Sequence, residues 1–323
     1  MSKRRINKQQ AARIQKIQAG FREDDEKNLS SREDGLVITR FSRHAEVETT
    51  QGLRIRCSIR PNIDSIVAGD RIIWQPTEDN RGVIVSRYPR NSVLGRADKH
   101  RESRPVAANI SQLMIVIAAK PEPTWSLLDS YLIMAENLQL QVTIVLNKVD
   151  LPCEDIKEEL INCYKALGYP LVFTCKEDSE GYKALQEALC NHTSVFVGQS
   201  GVGKSSLISG ILPHETEILT ADISIQSELG CHTTRNSRLY HLPKGGALID
   251  SPGIREFELW QMPAGDILYG FREFRTLAND CKFRNCNHRD SPGCALIKAV
   301  DTGHVSRRRY ESLIKINTQF VGS

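Results

Sequence analysis

The sequence has no apolar run near eighteen residues long, so no membrane-spanning helix is expected. Its basic amino-terminal tract lacks the apolar core of a secretory signal. Six of the nine cysteines, at 57, 153, 163, 175, 190 and 231, show no paired framework, which fits a reducing cytosol. These absences predict a cytoplasmic protein, and a length of 323 residues, of which 40% are apolar, allows two or three domains.

Acidic residues are absent from the first 22 positions, which therefore carry a local charge of +7. The cations are Lys3, Arg4, Arg5, Lys8, Arg13, Lys16 and Arg22. We expect residues 1–34 to form a tail that is disordered when free and is drawn to a phosphate backbone. A tail that serves only solubility is the alternative, and the modest total charge of +4 does not decide between them.

Short runs in which apolar and polar residues alternate fill positions 35–98. The runs are 36–39, 45–49, 53–57, 71–74 and 82–86. Such runs, separated by Gly, Asn and Asp turns, predict a small β-barrel. The segment has ten arginines, seven acidic residues and no lysine. Its arginines could bind RNA phosphates and stack on bases, or they could make surface ion pairs, and the pattern leaves both open.

Strand and helix patterns alternate after a polar stretch at 98–105, which we interpret as a linker. Strands are predicted near 112–118, 142–147, 171–175, 193–197, 238–242 and 246–250, and helices at 126–138, 155–167 and 204–212. This alternation predicts an α/β domain over 105–260 with both faces of its sheet covered. Residues 261–323 are expected to form a helical domain, and the basic run 307–309 in its last helix suggests a second RNA-facing surface.

A candidate phosphate-binding loop follows the apolar strand at 193–197. Its residues are Gly198, Gln199, Ser200, Gly201, Val202, Gly203, Lys204, Ser205 and Ser206. Gly198 and Gly203 permit backbone angles closed to residues with a Cβ, so that successive N–H groups converge on a β-phosphate where a helix starts. Lys204 would neutralise β- and γ-phosphate oxygens as a catalytic group, and the Ser205 hydroxyl would join a Mg²⁺ shell.

The tetrad Asn147-Lys148-Val149-Asp150 indicates guanine rather than adenine. The Asp150 carboxylate can accept hydrogen bonds from N1 and N2 of guanine, a pattern that adenine lacks, while the Lys148 stem packs against the base. The tetrad precedes the phosphate-binding loop, whereas Ras-like GTPases have the opposite order. The sequence therefore predicts a circularly permuted GTPase.

Two segments after the loop are candidate switches. Asp250 ends an apolar strand and can reach Mg²⁺ through water, and the Gly253 N–H can sense the γ-phosphate. Either Thr233 or Thr234 would complete the Mg²⁺ shell, and we assign the catalytic and metal role to Thr234.

Ile254 occupies the position at which Ras-type enzymes have a glutamine that orients the attacking water. An isoleucine side chain has no polar atom for this task, so hydrolysis needs another group. His232 is the nearest candidate in the switches, as a base or as a donor that orients the water. The equally open alternative is that His232 only makes hydrogen bonds within its loop.

Three cysteines and one histidine cluster within fourteen residues near the carboxyl end. They are Cys281, Cys286, His288 and Cys294. Three thiolates and an imidazole suit a closed tetrahedral Zn²⁺ site, in which the metal is structural because the protein fills all four positions.

Several segments outside these motifs resemble the RsgA (YjeQ) family of ribosome small-subunit-dependent GTPases. They are 89–94 with Arg96, 128–132 with 135–136, and 238–241 leading to 250–257. The likeness extends over nearly the whole chain. It departs at Arg235, where many members have a threonine, and at Thr174-Cys175, which occupies a Ser-Ala-type element near the guanine O6. The resemblance implies an OB-fold for the barrel and ribosomal RNA as its ligand.

The same resemblance implies a GTP hydrolase that binds the 30S subunit or its precursor late in maturation. Hydrolysis, which yields GDP and phosphate, would be stimulated by the subunit and would release the protein. We expect a cytoplasmic monomer with GTP or GDP, Mg²⁺ and one structural Zn²⁺ per chain. The competing hypotheses are a permuted GTPase that acts on the large subunit, and an RNA-binding protein whose nucleotide site is vestigial.

Overall fold

The computed structural model describes residues 32–77, 81–97, 103–212, 237–250 and 262–321. Contacts divide the chain into two compact units, of which the first ends at Asn91 and the second begins at Ser92. Among the described residues, no helix is both long and apolar enough to cross a membrane.

The first unit is a closed five-stranded barrel. Its strands are β1 (Glu33–Phe41), β2 (His44–Thr49), β3 (Arg54–Ile59), β4 (Arg71–Thr77) and β5 (Arg81–Arg87). Neighbours pair antiparallel except β3 and β5, which are parallel, and β1 pairs with both β2 and β4 to close the ring. This is the topology of an OB-fold, and it confirms the barrel predicted from the alternating runs.

Apolar side chains of alternate strand positions fill the barrel. Trp74 is 2% exposed and lies over Gly82, where a Cβ would come within 2.5 Å of the indole ring. Glycine is therefore required at this point of β5. Cys57 is a fully buried member of this core, and its burial raises the pKa of the thiol to about 12.

The second unit begins with a hairpin and continues as an α/β fold. Its strands are β6 (Val93–Ala97), β7 (Ser103–Ala108), β8 (Gln112–Ala118), β9 (Gln141–Asn147), β10 (Leu171–Thr174), β11 (Thr193–Val197), β12 (Arg238–His241) and β13 (Ala247–Asp250). Antiparallel pairing of β6 with β7 places residues 103–105 in a strand, so the linker interpretation is wrong for them. The other six strands form a sheet in the order β10-β9-β8-β11-β13-β12, in which only β12 runs antiparallel.

Helices accompany the sheet and make up the carboxyl-terminal part. They are α1 (Trp125–Asn137), α2 (Glu154–Glu159), α3 (Ser179–Leu189), α4 (Lys204–Ile211), α5 (Ala264–Tyr269), α6 (Arg272–Leu277), α7 (Ala295–Asp301) and α8 (Arg307–Val321). A π-helical turn, Leu160–Lys165, continues α2. Helices α1 and α4 and the six strands of the α/β sheet lie within one residue of their predicted bounds. The architecture is a barrel, an α/β domain and a helical carboxyl-terminal part with a Cys/His cluster, as predicted.

Candidate nucleotide and metal sites

The predicted nucleotide-binding residues meet at one edge of the sheet. Asn147, at the end of β9, is level with Ala118 of β8 and with Thr174 of β10. On the other side of β8, β11 leads into the loop at 198–205, and Asp250 ends β13. This is the carboxyl edge, at which open α/β sheets bind their ligands.

Glycines let the loop at 198–205 fold closely against its neighbours. The φ angles of Gly198, Gly201 and Gly203 are +142°, +81° and +99°, all in the region that favours glycine. A Cβ at Gly198 would lie 2.1 Å from the Val116 carbonyl oxygen, and one at Gly203 would lie 2.3 Å from Asn147 Nδ2. The loop therefore has the tight backbone cradle that phosphate binding requires.

Lys204 places its amino group inside this cradle. The side chain is 5% exposed, and Nζ donates to the carbonyl oxygens of Gly198 at 2.6 Å and Gln199 at 2.7 Å. Ser205 is half-buried in the first turn of α4. Among the other predicted loop residues, Val202 is buried, whereas Ser200, Gly201 and Ser206 are exposed.

The guanine tetrad supports the loop directly. Asn147 Nδ2 donates to the Val202 carbonyl at 2.9 Å, and Lys148 Nζ donates to the Gly201 carbonyl at 2.7 Å. Lys148 also adopts a left-handed φ of +60°. These two residues are thereby fixed in position, while the Asp150 side chain stays exposed at the same edge.

Thr174 and Cys175 complete the part of this edge that the structure describes. Thr174 is fully buried, and its carbonyl accepts from the Val149 N–H at 3.3 Å, which joins it to the tetrad. Cys175 is half-buried. The other predicted switch residues, His232, Thr233, Thr234 and Gly253, lie outside the described residues, as does the basic tail up to residue 31.

The predicted zinc ligands converge in the carboxyl-terminal part. One ligand atom from each of Cys281, Cys286, His288 and Cys294 lies within 4.8 Å of the others. His288 Nδ1 is 3.7 Å from Cys281 Sγ and 3.6 Å from Cys294 Sγ. Zn–S bonds of about 2.3 Å and Zn–N bonds of about 2.0 Å give a tetrahedral S···N separation of about 3.5 Å. The cluster therefore fits a tetrahedral zinc ion.

Local contacts hold this cluster in shape. Burial lowers the pKa of His288, which favours the neutral imidazole that binds metals. The Tyr310 hydroxyl donates to the His288 carbonyl at 2.6 Å, and the Lys282 N–H donates to the Gly293 carbonyl at 3.1 Å. The first contact ties the cluster to α8.

The arginines at the start of α8 do not all face outward. Arg309 is 1% exposed, donates to Asp129 and binds Glu273 at 2.7 and 2.9 Å. Arg308 donates to Glu159 at 2.6 Å. Arg307 is exposed and pairs only loosely with Asp301 at 3.3 Å. The prediction of an RNA surface is wrong for Arg308 and Arg309, because both serve contacts within the fold.

Helix α1 supplies residues whose roles the motifs did not reveal. Asp129 and Glu136 lie two turns apart; Asp129 pairs with arginines of α8, and Glu136 with Arg272 and Arg275 of α6. Thr124, just before the helix, donates to the Gln199 side chain at 3.2 Å. A signal was present in the sequence, since Asp129 and Glu136 fall within the segments that resemble the RsgA family.

The barrel carries a surface cavity of about 300 Å³. Its lining includes His44, Arg56, Ser58, Thr77 and Arg81. Arg56 and Arg81 are register partners on the parallel strands β3 and β5. Two like charges on adjacent strands repel each other, although Glu46, the register partner of Arg56 on β2, offsets part of this repulsion. An anion between the two arginines would offset more of it.

Comparisons with known proteins agree with this architecture. The family model described as RsgA GTPase matches residues 87–260. The chain is 44% identical to the small ribosomal subunit biogenesis GTPase RsgA of Alcanivorax borkumensis, covering 98% of this chain and 96% of that protein. The corresponding protein of Hahella chejuensis is 43% identical, with 98% and 96% covered.

Two solved structures share the fold. The crystal structure of YjeQ from Thermotoga maritima matches with a TM-score of 0.73 at 31% identity, covering 90% of this chain and 99% of that one. The structure of YloQ, described as a circularly permuted GTPase, matches with a TM-score of 0.70 at 26% identity, covering 91% and 97%. The chain therefore belongs to the RsgA GTPase family and is a GTP hydrolase.

Proposed function

We propose that this GTPase binds the 30S ribosomal subunit or its precursor in the cytoplasm, acts late in small-subunit maturation, and leaves on GTP hydrolysis. The names of its relatives support the ribosomal role. The observation that carries the nucleotide part is the convergence of tetrad and loop, in which Asn147 and Lys148 bind carbonyls of the loop while Asp150 stays exposed.

In this proposal each residue of the sheet edge has a role toward GTP. Asp150 accepts from the guanine base, the Lys148 stem packs on it, and the Thr174-Cys175 segment lies near O6. Backbone N–H groups of 198–205 surround the phosphates, and Lys204 exchanges its carbonyl partners for phosphate oxygens. Ser205 and Thr234 would bind Mg²⁺ directly and Asp250 through water, with Thr233 and Gly253 alongside the γ-phosphate. The Mg²⁺ would neutralise charge that develops on the phosphates.

Hydrolysis would depend on His232, because Ile254 cannot orient a water molecule. Free protein should then turn over slowly, at an intrinsic Ras-like rate of about 10⁻⁴ to 10⁻³ per second. His232→Ala should abolish the stimulation by 30S subunits with little loss of nucleotide affinity. If this variant is stimulated as strongly as the parent, His232 is a structural residue.

The barrel and the basic tail are the proposed RNA contacts. The cavity at Arg56 and Arg81 suits a phosphate of ribosomal RNA, and the tail would add attraction without sequence preference. The zinc ion would hold together the carboxyl-terminal part.

The test is GTP turnover measured alone, with purified 30S subunits and with purified 50S subunits. We expect strong stimulation by 30S only. Stimulation by 50S only would favour a large-subunit GTPase, and no GTP binding would favour RNA binding with a vestigial nucleotide site.

A second experiment tests the base site. Asp150→Asn should weaken GTP binding and improve xanthine nucleotide binding, because xanthine offers an acceptor where guanine has its 2-amino donor. Unchanged GTP affinity would remove Asp150 from the base site.

A further inference from the structure

The segment that precedes α1 contacts both halves of the nucleotide site. Thr124, the N-cap of α1, donates from Oγ1 to Gln199 Oε1 at 3.2 Å. Four residues earlier, the Lys120 carbonyl accepts from Lys148 Nζ at 2.8 Å. The amino end of α1 is therefore attached to the phosphate-binding loop and to the guanine tetrad at the same time.

Trp125, the first residue of α1, is in turn attached to α8. Its ring centre lies 4.5 Å from Cζ of Arg308, within the distance at which a cation is attracted to an aromatic face. The Tyr164 ring stacks on Trp125 at 6.1 Å with an interplanar angle of 15°, and its hydroxyl accepts from Arg308 Nη2 at 3.1 Å. The guanidinium is thus held against the indole.

Contacts on the far side keep Arg308 from moving independently. Its Nε donates to Glu159 Oε1 at 2.6 Å. The next residue, Arg309, is buried between Asp129 of α1 and Glu273 of α6. Two successive arginines therefore join α8 to α1, one at the first residue of α1 and one a turn further along.

We propose that Arg308 is a positioning residue for the phosphate-binding loop, acting through Trp125 and Thr124 on Gln199. The Gln199 carbonyl also accepts from Lys204 Nζ at 2.7 Å. Gln199 loses this hydrogen bond when the lysine turns to a phosphate. The nucleotide state is thereby coupled to the carboxyl-terminal part through α1. This proposal rests on the proposed use of the sheet edge for GTP.

The first test is the tryptophan emission of the full-length protein with GDP and with a non-hydrolysable GTP analogue. Trp125→Phe, which keeps an aromatic ring, identifies the contribution of Trp125 by difference. We expect the Trp125 emission to differ between the GDP and GTP-analogue states. In Arg308→Ala this difference should disappear. Arg308→Lys should keep part of it, because the cation remains while the guanidinium hydrogen bonds are lost.

The second test is the ratio of affinities for the GTP analogue and GDP. Arg308→Ala should change this ratio by about 2- to 30-fold, the range found for residues that couple two sites. The matched control is Arg307→Ala, which removes the adjacent, exposed cation and should leave the ratio unchanged. Thermal unfolding shows whether each variant is folded. If Arg308→Ala is not folded, the affinity ratio and the tryptophan emission of Arg308→Lys test the proposal in its place.

Two results would overturn the proposal. One is a Trp125 emission that is identical in both nucleotide states of the otherwise unaltered protein. The other is a folded Arg308→Ala that keeps the affinity ratio of the parent. Absence of nucleotide binding in the parent would instead contradict the proposed function, so the two failures are distinguishable.

Discussion

In the barrel, Arg56 and Arg81 lie side by side on neighbouring strands and line a surface cavity, whereas in the last helix Arg308 and Arg309 point into the fold. The barrel encloses a core of apolar side chains around Trp74, and neither of these two arginines belongs to that core. By contrast, α5, α6 and α7 have only six or seven residues each. Helices this short have little apolar surface to bury.

The surroundings of an arginine, rather than its presence in a basic run, therefore decide what its side chain contacts. In the carboxyl-terminal part, Arg308 and Arg309 pair with carboxylates of the fold, whereas Arg56 and Arg81 line the surface cavity at which we propose that RNA binds. The first unit also contains arginines that bind within the fold, as Arg90 does with Asp70 at 2.6 and 2.8 Å. Replacing the paired arginine Arg309 should therefore lower stability, whereas replacing Arg56 and Arg81 should weaken binding and have little effect on stability.

The largest expected effect comes from breaking the Cys/His cluster. Cys286→Ala should lose the zinc ion and unfold the carboxyl-terminal part locally, because zinc-binding free energy in such small modules, about 10–16 kcal/mol, is folding free energy. Metal analysis should give one zinc per parent chain, and hydrogen exchange should show lost protection in 262–321 but not in the barrel. The control is Cys190→Ala, outside the cluster. Substoichiometric metal in freshly purified, cooperatively folded parent protein would contradict the zinc assignment.

The second-largest loss of stability is expected from Arg309→Ala. Removing this cation takes from the Glu273 carboxylate its arginine partner and leaves the buried Asp129 with the Tyr164 hydroxyl at 2.7 Å and the longer pair to Arg308 at 3.7 Å. Loss of one partner of a buried ion pair costs about 3–5 kcal/mol. Chemical denaturation of the second unit would measure the loss. Arg307→Ala should cause no measurable change, since its side chain is 65% exposed and its ion pair is solvated. Equal effects of the two substitutions would refute the distinction between inward and outward arginines in α8.

The smallest effect on stability is expected in the barrel cavity. Replacing both Arg56 and Arg81 with Gln should leave the barrel folded but weaken 30S binding. If each contacts a phosphate, the slope of log affinity against log salt should fall by about 1.4–1.8. Arg54→Gln, on the same strand but outside the cavity, is the control. An unchanged salt slope in the double variant would mean that the cavity does not bind RNA phosphates.

The sequence predicted those elements that depend on local pattern. Strand β11 lies where it was expected, because its apolar run ends at the glycine that opens the loop. The nucleotide edge was predictable because motif residues follow the strands directly, as Asn147 shows at the end of β9. The convergence of the Cys/His cluster was equally predictable, since its four residues are close in the chain.

Features that depend on distant partners were not predictable in this way. Arg309 lies 180 residues from Asp129, so no local pattern reveals that it faces inward. The β6–β7 hairpin was missed because residues 98–105 are polar and because a register shift after Leu94 interrupts the alternation. Thr124 has no distinguishing signal of its own, and only the folded chain brings it to Gln199.

The hydrogen bond from Asn147 to Val202 joins residues that are 55 positions apart, with the tetrad emerging first during synthesis. A ribosome that adds about 5–20 residues per second takes about 3–12 s to proceed from Asn147 to Ser205. Throughout that interval the nascent chain has the strand that carries the predicted guanine tetrad but not the loop that binds it. GTP therefore cannot stabilise this first half as a ligand until the loop has been synthesised.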